Sequence, residues 1–222
     1  MMKIEIFLLI LYFFSAYSFN LRETKQDIRY DSYVFALQWP NGYCAAFNNS
    51  CEILNKTEEN VFTIHGLWPS LKNGKRLPEC TKGEPIDLDN YGISFFMERY
   101  WFSFKGGNKG FWLHEYNKHG YCMVQEKNWE NSVDYFSFVM KLYFQSYRFL
   151  LQKAFGNQPR VWELDLDELK SKIQRVMPGI NFKIKCENSY ITEFQFYLEK
   201  DLTPDTKTPV RNSCKKGKLV FK

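Results

Sequence analysis

Six cysteines in a chain of 222 residues, Cys44, Cys51, Cys80, Cys122, Cys186 and Cys214, constrain this fold more than any other feature. An even set of this size suits an oxidising environment and three disulfides, although spacing alone does not choose among the fifteen possible connectivities. The N-terminal end agrees. Residues 1–18 read as a secretory signal: Lys3 opens a short charged region, an apolar run follows from Ile6 to Phe14, and Ala16-Tyr-Ser18 offers small residues for cleavage. The apolar run is too short for a membrane span, so no stable membrane insertion is expected. Secretion or delivery to a lysosome or vacuole follows. Two glycosylation sequons, at Asn48 and Asn55, fall in a polar stretch that fits a secreted surface loop.

Residues 19–222, roughly 200 in number, suffice for one domain with a substantial core and are too few for two comfortable ones. Lys and Arg number 30 against 25 Asp and Glu, a formal charge of +5. Loss of Lys3 and Glu5 with the signal leaves that excess unchanged. Such an excess suits a polyanionic partner without establishing one.

The periodicity is mixed. Tyr33–Trp39 and Val61–His65 are short, rich in β-branched and aromatic residues, and bounded by Pro40-Asn-Gly42 and Gly66, so both read as strands. Alternation places Phe62 and Ile64 on one face and Thr63 and His65 on the other. Residues 93–104 and 133–155 carry apolar side chains at helical spacing, the second stretch ending at Gly156. Asp165–Val176 is a further amphipathic helix stopped by Pro178-Gly179. Phe182–Cys186, Ile191–Tyr197 and Lys218–Phe221 read as late strands. The expected class is α+β, an antiparallel sheet packed with helices and stabilised by disulfides.

The chain has three histidines, His65, His114 and His119, and all lie in two short segments, Phe62-Thr-Ile-His-Gly-Leu-Trp-Pro-Ser70 and Phe111-Trp-Leu-His-Glu-Tyr-Asn-Lys-His-Gly-Tyr-Cys122. Imidazole is the side chain that both takes and gives a proton near neutral pH. If Trp112–His119 is helical, His114, Lys118, Glu115 and His119 fall at about 0°, 40°, 100° and 140°, so one broad face carries all four. Leu113 and Tyr116 fall on the other side, and Gly120 ends the helix.

A metal site is the first rival. His114-Glu115 followed by a later histidine is similar to the His-Glu-x-x-His helix of zinc proteases, but that chemistry needs the two histidines one turn apart. Here they are five residues apart, and no metal or other cofactor is expected. No elbow motif marks a nucleophilic serine or cysteine. Two histidines, a lysine and a carboxylate do suit RNA cleavage. One neutral imidazole takes the proton of a ribose 2′-hydroxyl, which attacks the adjacent phosphorus, and a protonated imidazole gives a proton to the departing 5′-oxygen. A bell-shaped pH dependence follows, and DNA is not a substrate.

At these residues the chain resembles the ribonuclease T2 family of secreted and lysosomal or vacuolar endoribonucleases. Both histidine segments carry the resemblance, together with Leu37-Gln-Trp-Pro40 and Tyr43-Cys44, all in the family's order; beyond Trp129 the match is looser. The resemblance implies that His119 is the general base, His65 the general acid and His114 a phosphate holder, with Glu115 and Lys118 stabilising the transition state. It implies cleavage of single-stranded RNA through a 2′,3′-cyclic phosphate to a 3′-phosphate, without metal, by a monomer. It pairs Cys80 with Cys122 and Cys186 with Cys214, leaving Cys44 with Cys51. It sets Trp68 on one side of the scissile phosphate and Gln38 with Phe111 on the other as base contacts, where stacking gives affinity with weak sequence preference.

The chain departs from the family at Tyr116, where many members have Trp, at Tyr121, where Thr is common, and at Ser70, where some members have an acidic base-recognition residue. A secreted protein of the same fold that binds RNA or a receptor without turnover is the alternative reading. The three intact histidines favour the enzyme.

Overall fold

A computed structural model describes residues 29–47, 61–72, 77, 80, 85–86, 88, 92–156, 162–214 and 217–221. The proposed signal, both sequons and Cys51 lie outside these residues. Strand β1 (Ser32–Gln38) runs antiparallel between β2 (Thr63–Ser70) and β5 (Tyr190–Glu199), and β4 (Phe182–Glu187) pairs antiparallel with β5. Two three-residue strands, β3 (Trp162–Leu164) and β6 (Leu219–Phe221), complete a six-stranded sheet among the described residues. The expectation of an antiparallel sheet holds with one exception. β6 meets β5 in parallel, through Tyr190 and Val220.

Period-two alternation gives this sheet two chemically different faces. Phe35 stands opposite Phe196 and Leu37 opposite Phe194, while Ile184 of β4 stands opposite Phe194; all are fully buried. The intervening positions pair Ala36 with Gln195 and Gln38 with Glu193, and Lys183 and Lys185 lie opposite Gln195 and Glu193 on β4. One face is therefore aromatic core and the other is polar.

The apolar face is covered by a continuous helical stretch, Ser132–Leu142, a π turn Tyr143–Tyr147, and Arg148–Phe155. The Tyr147 ring lies 4.8 Å from Phe35 and 5.0 Å from Phe196, and that of Phe155 lies 5.2 Å from Phe221. Burying each such ring contributes about 1.5–3 kcal/mol. A helix at Leu166–Val176 starts where Asp165 accepts hydrogen bonds from the backbone N–H groups of Asp167 and Glu168.

Three boundaries differ from expectation. Pro40 opens a short helix, Pro40–Ala46, where its missing N–H costs nothing. Gly66 does not end β2, which continues through Pro69; proline is tolerated because β2 is an edge strand. Gly120 does not end the histidine helix. That helix runs Asn108–Glu115, widens into a π turn at Tyr116–Gly120, and continues as Tyr121–Lys127. A Cβ on Gly120 would sit 2.7 Å from the Tyr135 ring, so the glycine permits close packing between helices.

Candidate active site

The site is built where the edge strand β2 meets the π turn. Leu37 pairs with Ile64 and Ala36 with Gly66, which leaves His65 as the extra residue of a β-bulge. The bulge resets the alternation, so that His65 and Trp68, three residues apart, both reach the polar face. Aromatic side chains from the helical layer secure the strand's outer carbonyls. Trp101 Nε1 donates to His65 O at 2.8 Å, Tyr135 Oη to Leu67 O at 3.2 Å, and Tyr143 Oη to Phe62 O at 2.5 Å. Strand alternation alone would have aimed His65 away from Trp68.

The π turn does similar work on the helix. Its closing bond runs from Tyr121 N–H to Tyr116 O, five residues back rather than four. This wider turn narrows the separation of about 140° that a regular helix would put between His114 and His119. In the folded helix the five-residue spacing therefore does not by itself keep the two imidazoles from one metal ion. Among the described residues, however, no three His, Cys, Asp or Glu side chains are grouped to hold one. Cys80, joined to Cys122, donates its backbone N–H to Lys118 O at 3.4 Å and so braces the turn from outside.

A cleft of about 350 Å³ brings His65, Trp68, His114, Glu115, Lys118 and His119 together, with Ser70, Lys183, Lys185 and Gln195. The Trp68 ring centroid lies 5.0 Å from that of His65 and 5.3 Å from that of His119. Its Nε1 donates to Glu115 Oε2 at 2.8 Å. Gly66 permits this, because a Cβ there would collide with the Glu115 carboxylate and stand 2.6 Å from the Trp68 nitrogen. Burial pushes the Glu115 carboxyl above the ordinary glutamate range, against the opposing pull of His65, Trp68 and His114. A second cavity of about 550 Å³ opens on the other side of His65 and is lined by Gln38, Phe111, Tyr43 and Phe104. Gln38 Oε1 is buried there with no hydrogen-bond partner among the described residues.

All eight predicted side chains thus line one cavity or the other, and His65 borders both. The predicted Cys80–Cys122 and Cys186–Cys214 disulfides are present, and Cys44 is disulfide-bonded.

Sequence reasoning missed Glu193. Its Oε2 accepts from His65 Nδ1 at 2.6 Å, and its Oε1 accepts from Lys185 Nζ and Gln195 Nε2, each at 2.7 Å. Burial would raise its pKa, but His65 and Lys185 hold it down at about 2. Burial likewise pushes His65 down, yet the Glu193 hydrogen bond and charge, aided by Glu115, leave it above the ordinary histidine value. The signal was present in Thr192-Glu-Phe-Gln-Phe-Tyr197, where Glu193 and Gln195 alternate with core phenylalanines.

Known proteins share this sequence pattern and this fold. The family model described as "Ribonuclease T2 family" matches residues 30–211. The chain is 30% identical over 189 residues to "Ribonuclease T2 protein rnst-2" of Caenorhabditis elegans, covering 78% of this chain and 66%, just under two thirds, of that protein. It is 30% identical over 205 residues to "Ribonuclease 3" of Arabidopsis thaliana, covering 89% and 87% of the two chains. The solved structure of an RNase-related protein from Calystegia sepium matches with a TM-score of 0.71 at 23% identity, covering 87% of this chain and 99% of that one. At that identity the likeness concerns the fold.

Proposed function

The chain belongs to the ribonuclease T2 family, and from that premise we propose that it is an endoribonuclease that cleaves single-stranded RNA by transphosphorylation, without a metal ion. The observation that carries this reading is the pair of imidazoles, His65 and His119, set against the same indole in a cleft that also holds His114, Glu115 and Lys118.

In the proposed reaction His119 takes the proton of the ribose 2′-hydroxyl. The 2′-oxygen forms a bond to phosphorus, the bond from phosphorus to the 5′-oxygen breaks, and His65 gives that oxygen its proton. His114 and Lys118 hold the phosphate, and Glu115 with Lys118 stabilises the crowded phosphorane. A water molecule then opens the 2′,3′-cyclic phosphate to a 3′-phosphate with the histidine roles exchanged. A raised His65 pKa supports the acid role, since the group must start protonated.

Bases on either side of the scissile phosphate would lie in the two cavities, against Trp68 on one side and against Phe111 and the buried Gln38 acceptor on the other. Residues 19–222 form one catalytic domain, monomeric and released from the 1–18 signal. The two disulfides described support an oxidising destination, outside the cell or in a lysosome or vacuole.

The test is a single-stranded oligoribonucleotide with one 2′-deoxy substitution, digested in EDTA and read by mass spectrometry. Cleavage is expected at every site type except the substituted one, with cyclic phosphate ends appearing before 3′-phosphates. Cleavage at the 2′-deoxy position, or loss of all activity in EDTA, would overturn the mechanism.

A further inference from the structure

We propose that Glu193 is a positioning residue for the general acid: it fixes the His65 ring through Nδ1 so that Nε2 faces the scissile phosphate carrying a proton. The inference rests on the reaction proposed above and adds to it a residue from the far half of the chain, outside both histidine segments.

The geometry is specific. Two nitrogens of one imidazole are divided between two environments. Nδ1 is bound to the Glu193 carboxylate at 2.6 Å, on the side of the sheet floor, while Nε2 points toward the cleft, 3.6 Å from Glu115 Oε1. Glu193 is 4% exposed and is itself held from two further directions, by Lys185 from β4 and by Gln195 from its own strand. A carboxylate with both oxygens bound in this way cannot swing away, and the ring it holds keeps one orientation. The His65 carbonyl is anchored independently by the Trp101 indole, so both ends of the residue are constrained.

The charges facing His65 come from three elements. Glu193 on β5 and Glu115 on the histidine helix favour the imidazolium, whereas Lys185 on β4 opposes it. His114 acts on the same Glu115. The carboxylates prevail because Glu193 is in direct contact, while Lys185 is itself neutralised by that same carboxylate. When Nε2–H gives its proton to the departing 5′-oxygen, the imidazole becomes neutral, Nδ1–H stays on Glu193, and Glu193 remains ionised throughout. Lys185 helps to depress Glu193, but His65 depresses it as well and the carboxylate stays ionised at working pH without the lysine, so the direct opposition to the imidazolium is the effect that Lys185 exerts on His65.

Two substitutions separate positioning from mere structural support. Glu193→Gln keeps the shape and a hydrogen-bonding group but removes the charge, and leaves Lys185 facing His65 unneutralised. The alkaline limb of kcat against pH should move to lower pH, and kcat on that limb should fall about tenfold or more with KM nearly unchanged. Lys185→Met removes the opposing cation and should move the same limb to higher pH, whatever it does to the amplitude.

The companion measurement needs no substrate: NMR titration of the His65 imidazole, with His114 and His119 as internal references. Its midpoint should fall in Glu193→Gln and rise in Lys185→Met. An unchanged His65 titration in Glu193→Gln, or shifts of the same sign in both variants, would overturn the positioning role. A wild-type protein that cleaves no RNA would instead overturn the proposed reaction, and with it the catalytic half of the inference.

Discussion

The indole nitrogen of Trp68 is committed to the carboxylate of Glu115, 2.8 Å away, and that bond joins the edge strand to the histidine helix across the floor of the cleft. With its nitrogen tied down, the ring is a fixed surface against which both His65 and His119 pack, at centroid distances of 5.0 and 5.3 Å. Any stacking of a base on Trp68 must use what these contacts leave open.

Replacing Trp68 by Phe should keep an aromatic ring beside the two histidines and lose the bond to Glu115. Glu115, already pushed up by burial, loses one of the interactions that lowers its pKa and shifts further toward its neutral form. Hydrogen bonds to a charged group contribute about 1.5–3 kcal/mol, so kcat/KM should fall by about 10-fold or more. Steady-state kinetics on a dinucleotide measures it.

The Glu193–His65 pair also sets a pH window for stability. Glu193 is depressed from an ordinary 4.5 to about 2, so its contribution is complete above the ordinary value and fades as pH falls toward 2. His65 is raised from an ordinary 6.5, so its contribution is complete below that value and fades as pH rises through the folded one. The difference in stability between wild type and Glu193→Gln should therefore peak between pH 4.5 and 6.5, at about 2 kcal/mol, and shrink on both sides. Denaturant melts across pH check the shape.

The Cys80–Cys122 bridge spans 42 residues and ends on the helix that carries the histidines. Closing a loop of that length stabilises by about 4 kcal/mol in the chain-entropy picture. The double variant Cys80→Ala/Cys122→Ala should show a depressed Tm. Alanine at position 80 keeps the backbone N–H that meets Lys118 O, but without the disulfide that segment is no longer fastened to the histidine helix, so kcat should fall even at temperatures where the variant is folded. Calorimetry and activity on the same sample separate the two effects.

Much of this site was legible in the sequence, because its polar groups are concentrated in two short segments and their chemistry depends on residue type. His65, His114, Glu115, Lys118 and His119 were readable there without a fold. What stayed hidden depends on register. The bulge at His65 is invisible to an alternation count, and nothing in Tyr116–Gly120 announces a π turn. Glu193 lies 128 residues from His65 and becomes its partner only when β5 pairs with β1. The alternating faces of β5 were visible, but not which face would line a cleft.

The central claim is a division of labour between His119 and His65 in forming a cyclic phosphate, and release of that product from a defined dinucleotide in EDTA tests it most directly. Wild type should release the 2′,3′-cyclic nucleotide, while His119→Ala and His65→Ala should each lose at least about 100-fold in kcat, the range for a general acid or base. In wild type the alkaline limb, assigned to His65, should lie above the ordinary histidine value. An inert wild type, or cleavage that survives both substitutions undiminished, would contradict the account.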